Sequence, residues 1–218
     1  MNSKKLTFAA ALLAGSALVS PAANAVVNIS VFDNGVAVPL VCAGPVDAQT
    51  CTGGNAAFSS ISVATFGNPA NANLATTTLD ATSALNAINH TLTVIGLQTG
   101  VTLPAGANST TTDTYNGLIG SPGPTTFVMT VNGVTLNSVS LGPSATPLTQ
   151  VFNNNGLPAI TSDQQTMTTV FAAGGVRVFE GTMAFVTTVP EPGSMALLGT
   201  ALVGMGWWTR RRRKTLAS

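Results

Sequence analysis

The sequence predicts an all-β protein, an antiparallel β-sandwich, carrying an N-terminal signal peptide and one C-terminal transmembrane helix. Three observations carry the β prediction. The 164 residues from Val26 to Val189 hold one cation, Arg177, against Asp33, Asp47, Asp80, Asp113, Asp163 and Glu180, a net charge of −5. Thr, Ser, Asn, Gly and Ala fill the places that charged residues usually take; Thr fits a pleated surface, while Asn and Gly supply turns. Short apolar runs recur between Gly- and Pro-rich punctuation, and Asn-Gly dipeptides stand between some of them, a strong local hairpin signal. No repeat of fixed period is present, which argues against a solenoid.

The elements follow in order. With Asn34-Gly35 as a two-residue turn, Asp33 faces Val36, Val31 faces Val38, Ile29 faces Leu40 and Val27 faces Cys42, giving both strands one largely apolar face. Asn132-Gly133 sets Val131 against Val134 and Met129 against Leu136. The apolar phase then slips at Asn137-Ser138, which predicts a bulge before Val139 and Leu141. Gly174-Gly175 is expected to join strands over 168–173 and 176–182. Further strands are expected over 58–66, 91–97 and 183–188, a short helix over 80–89, and loops over 67–73, 104–112 and 120–124.

Cys42 and Cys51 are the only cysteines. The intervening Gly44-Pro45 turn can return one to the other, so a disulfide is expected. The spacing is not Cys-x-x-Cys and no His cluster accompanies the pair, which disfavours redox or metal roles.

Both ends read as addresses. Lys4 and Lys5 precede an apolar stretch over 6–19, and Ala23-Asn24-Ala25 offers the small residues that signal peptidase accepts, placing the signal peptide at 1–25 and the mature start at Val26. The body then runs over 26–188. At the far end Val189-Pro190-Glu191-Pro192 leads into an uncharged segment over 194–208 and then Arg210, Arg211, Arg212, Arg213 and Lys214. The prolines hold the chain extended and free of helix, as a processing site requires. Fifteen apolar residues are shorter than the roughly twenty of an average span, so crossing needs bilayer thinning or snorkelling. Five cations behind Trp207 and Trp208 act as a basic stop-transfer cluster, which by the positive-inside rule puts the C-terminus in the cytoplasm and the body outside.

This three-part tail resembles the PEP-CTERM sorting signal of exported bacterial proteins. The resemblance implies recognition and removal by an exosortase, with the helix anchoring the protein in the inner membrane until delivery to the cell surface. Such proteins are commonly associated with exopolysaccharide, so the resemblance implies a structural matrix protein of a biofilm or floc.

The body offers little chemistry. An acidic, Lys-free body excludes nucleic acid as a partner. His90 is the sole histidine and shares a strand face with Leu92 and Val94, which makes it a strand-end residue rather than a catalyst. The carboxylates are scattered, and no Gly-x-Ser-x-Gly elbow is present. Asp33-Asn34-Gly35 and Asn153-Asn154-Asn155-Gly156 offer oxygen ligands but complete no calcium loop. The sequence therefore predicts no catalytic residue, cofactor or metal. The alternatives are a glycan- or calcium-dependent binding module and, third, a divergent hydrolase.

Overall fold

The computed structural model describes residues 25–68, 72–120, 123–144 and 146–188. Its strands are β1 (Val26–Asp33), β2 (Val36–Ala37), β3 (Leu40–Ala43), β4 (Ala48–Gly53), β5 (Phe58–Asn68), β6 (Asn73–Ser83), β7 (His90–Leu103), β8 (Asn108–Ile119), β9 (Thr125–Val131), β10 (Val134–Leu141), β11 (Leu148–Asn154), β12 (Ile160–Phe171) and β13 (Val178–Thr188). They pair antiparallel in two sheets, ordered β10-β9-β12-β7-β1-β2 and β11-β8-β13-β6-β5-β4-β3. Period-two alternation turns one side of the longer strands inward, as in β9 and β12. Phe127, Met129 and Val131 of β9 meet Phe179, Met183 and Phe185 of β13 in one buried core, so the sheets pack face to face. Among the described residues there is no helix. The predicted transmembrane segment over 194–208 and the signal peptide before Ala25 lie outside the described residues.

Both Asn-Gly turns form as the sequence predicts. Asn34 and Gly35 have φ of 49° and 80°, and Asn132 and Gly133 have 49° and 78°, the left-handed pair that a two-residue hairpin turn needs. The first hairpin is shorter than expected. Asp33 pairs with Val36 and Phe32 with Ala37, and Val38 N–H donates to the Val31 carbonyl at 2.9 Å. Pro39 then has no N–H to extend the ladder, and the chain crosses to the other sheet, where β3 pairs with β4. The expected Ile29–Leu40 and Val27–Cys42 pairs do not form, and Val27 N–H donates instead to the Val46 carbonyl at 2.7 Å. At the second hairpin the bulge falls at Leu136, so Met129 faces Asn137 and Phe127 faces Val139.

Three other expectations are corrected. Gly174-Gly175 joins no hairpin, because β12 ends in the first sheet beside β7 whereas β13 lies in the second between β6 and β8. The apolar alternation on both sides of this turn reflects strands that face each other across the core. The helix expected over 80–89 is absent: Asp80–Ser83 continue β6, and the amides beyond them serve loops, Asn86 donating to the Ala57 carbonyl and Asn89 accepting from Ala173 N–H. Side-chain bonds of this kind compete with helix. The loop expected over 104–112 ends at Ala107, because the Thr-rich run after it pairs on both sides, with β11 and β13.

Both ends of the body leave from one pole. Val26 pairs with Thr99 where β1 begins, and Thr188 pairs with Asn108 where β13 ends. Gln98 reaches the Asn73 carbonyl in the amide orientation that satisfies its neighbours, and Asn73 Oδ1 accepts from Thr187 N–H at 2.7 Å, which ties the two ends together. The Asn34-Gly35 turn and the loops over 84–89 and 172–177 occupy the opposite pole.

Candidate functional site

The predicted sorting residues Val189, Pro190, Glu191 and Pro192, the cluster from Arg210 to Lys214, and Ala23 lie outside the described residues. Ala25 is buried and Val26 opens β1. A peptidase cutting between them therefore needs the chain before the sheets close over Ala25.

Cys42 and Cys51 are bonded as predicted, facing each other directly in the β3–β4 ladder. The bond staples the edge strand that Pro39 diverts into the second sheet. Both thiols are expected to resist alkylation in the exported protein until reduced. Replacing both by Ser is expected to lower unfolding stability by about 2–3 kcal/mol in a urea titration, the chain-entropy value for so short a loop.

A His–carboxylate pair sits at the pole opposite the termini. Asn34-Gly35 turns the end of β1 toward the start of β7, bringing His90 Nδ1 to 2.8 Å from Asp33 Oδ1. The other carboxylate oxygen accepts from Asn55 Nδ2 at 2.9 Å, while Asn55 Oδ1 caps the Ala57 and Phe58 N–H groups. The His90 ring stands edge-on to Phe58, with centroids 6.0 Å apart. Sequence reading placed His90 at a strand end and missed its partner, which lies 57 residues away. The arrangement orients an imidazole as a catalytic pair would, but no Ser, Thr or Cys is bonded to it among the described residues; its bond to Asp33, with the Thr91 N–H donating to Asn34 Oδ1 beside it, closes a turn.

Around it the pole is apolar. Val36, Leu85, Ile88 and Val176 are exposed, Leu85 at 78%. Their loops interlock, Gly174 N–H donating to the Asn86 carbonyl at 2.8 Å. Arg177, the body's single cation, donates to the carbonyls of Gly120 and Ala172 and so fastens two loops.

Two carboxyls that sequence reading left among the scattered acids are buried inside the sandwich. Asp113 of β8 is fully buried, neither oxygen has a hydrogen-bond partner, and burial pushes its pKa up to about 7. Asp163 of β12 is 1% exposed and is pushed up to about 8 by the same desolvation. Gln98 Nε2 donates to Asp163 Oδ1 at 3.3 Å, and Oδ2 has no partner. The signal was present in the parity: Asp113 alternates in step with Thr111 and Tyr115, and Asp163 with Gln165 and Met167, all inward-facing. No group of three His, Cys, Asp or Glu residues able to hold a metal occurs among the described residues.

Residues 188–213 match the PEP-CTERM protein-sorting motif. None of the curated proteins matches the chain. Among solved structures, TmCBM61 in complex with β-1,4-galactotriose is similar with a TM-score of 0.35 and 12% identity, over 53% of this chain and 83% of that one. A CBM4 structure is similar with a TM-score of 0.30 and 13% identity, over 50% and 78%. The enzymatically active domain of bacteriophage CBA120 tailspike protein 4 is similar with a TM-score of 0.32 and 10% identity, over 74% of this chain and 19% of that one.

Proposed function

Since the chain carries a PEP-CTERM protein-sorting motif, we propose that it is an exosortase substrate, exported, held briefly in the inner membrane by its C-terminal helix and then placed at the cell surface as a non-enzymatic structural component of the extracellular polysaccharide matrix. The observation that carries this reading is the motif starting where the last strand stops, behind a body of net charge −5 whose only histidine is committed to a turn. A sparsely charged, Thr- and Asn-rich surface suits contact with hydrated polysaccharide through many weak and water-mediated hydrogen bonds. Replacing Pro190-Glu191-Pro192 by alanines is expected to trap a larger, membrane-bound form. Deleting the body is expected to weaken matrix cohesion, whereas His90→Ala leaves cohesion unchanged. Release of the alanine variant at wild-type size and rate would remove the sorting reading. Turnover of glycoside, ester or peptide substrates that His90→Ala abolishes would replace the matrix reading by a hydrolase.

A second reading, a glycan-binding module, is favoured by the pole opposite the termini. There Val36, Leu85, Ile88 and Val176 are exposed, aliphatic surface suited to the apolar face of a sugar. Calcium-independent glycan retention lost in Leu85→Asp would support it.

A further inference from the structure

The sheet edges are unusually bare. The four edge strands, β2 and β3 on one side and β10 and β11 on the other, contain no charged residue and no proline. Soluble β proteins protect such edges with Lys, Pro, bulges or short length, because unpaired N–H and C=O groups accept another strand. Three edges here have a protection. β2 is two residues long, β3 is four, and β10 is bulged at Leu136. β11 has none of these: its seven residues, Leu148–Asn154, pair with β8 without a register shift, its other edge has no strand beside it among the described residues, and the Val151 carbonyl accepts from the neighbouring Gln150 Nε2 at 3.3 Å, an exposed contact that an incoming strand can displace.

We propose that β11 is a self-association edge, pairing antiparallel with β11 of a second copy about a two-fold axis through Val151. A second copy fits because the strand is self-complementary about its middle residue. Val151, 48% exposed, meets itself; Thr149 meets Asn153, Gln150 meets Phe152, and Leu148 meets Asn154, so no charge opposes its like anywhere along the strand. The outward side chains are already held: Thr110 Oγ1 donates to Asn153 Oδ1 at 2.9 Å, and Thr149 Oγ1 lies 3.3 Å from Thr114 Oγ1. The neighbouring strand presents Thr110, Thr112 and Thr114 to the same side, so the joined face is neutral beyond the seam as well. Each seven-stranded sheet then continues into its counterpart, and the pairing stands whether or not the matrix reading holds.

The test uses the full chain in producing cells. Residues facing each other across antiparallel strands have Cα atoms roughly 4.5–5.5 Å apart, within the range a disulfide bridges. Val151→Cys is expected to give a covalent dimer on mild oxidation, several-fold more than Val176→Cys at the exposed pole. Val151→Lys sets two ammonium groups against each other and is expected to weaken association about fivefold in sedimentation of the detergent-solubilised chain. Dimer yield from Val151→Cys no higher than from Val176→Cys overturns the proposal. So does a Val151→Cys chain that stays monomeric and resists thiol reagents, as it would if another segment of the same chain covered β11. Loss of dimer in Val151→Lys with matrix cohesion intact upholds the pairing and separates it from the matrix reading.

Discussion

Raising the pH from about 4 to about 8 is expected to destabilise the sandwich, because Asp113 and Asp163 are buried acids whose folded pKa values stand at about 7 and about 8 against 3.8 when free. The sign follows from proton counting. Between the two pKa values the folded chain keeps its proton and the unfolded chain has lost it, so stability falls as pH rises and levels off above the folded pKa. The loss is at most on the order of 4 kcal/mol for Asp113 and about 6 kcal/mol for Asp163, a large share of the 5–15 kcal/mol that holds a typical domain together. Asp113→Asn and Asp163→Asn keep the shape and remove the titration, so both variants are expected to be more stable than wild type at pH 8 and to flatten the pH profile. Urea titrations at pH 4, 6 and 8 measure this. A wild-type profile that rises with pH, or Asn variants weaker than wild type at pH 8, would show that these carboxyls are stabilised as anions.

Phe171→Ala is expected to cost about 3–5 kcal/mol, the range for emptying an aromatic site in a packed core. Phe171 links the sheets: its ring stands edge-on to Phe58 of β5 at 5.0 Å and edge-on to Phe179 of β13 at 6.5 Å, and Phe179 in turn packs on Tyr115 at 5.3 Å. Gly142 seals the far end of this row. With φ of 86° and an added Cβ only 2.6 Å from the Tyr115 ring, it tolerates no side chain. Phe66, at 46% exposure, is the matched control, and Phe66→Ala is expected to move stability by under about 1 kcal/mol. Equal losses from Phe171→Ala and Phe66→Ala would sink the assignment of Phe171 as the bridge.

What the sequence made legible was local. Asn34-Gly35 and Asn132-Gly133 announce their turns because few other residues enter the left-handed region cheaply. Strand alternation around Val131 and Leu92 marks inward faces directly. The Cys42–Cys51 link was legible from its Gly-Pro turn, although the strand pair that carries it is β3–β4. Sheet membership was not legible. A turn such as Gly174-Gly175 has the same chemistry whether it returns a strand beside its neighbour or carries it across the core. Pro39 held the one such clue, a missing donor in the middle of an otherwise regular ladder. The His90–Asp33 contact and the burial of Asp113 and Asp163 depend on pairing across 50 residues or more, which period-two reading orients but does not join.

The placement of the body's last strand also gives its two ends different clocks. Ala25 is enclosed once the sheets close, so any cut beside it belongs to the time before folding. At the other end, β13 is the last of the described strands to leave the ribosome, yet it takes a central position between β8 and β6. The second sheet is complete only when the residues next to the sorting motif have docked.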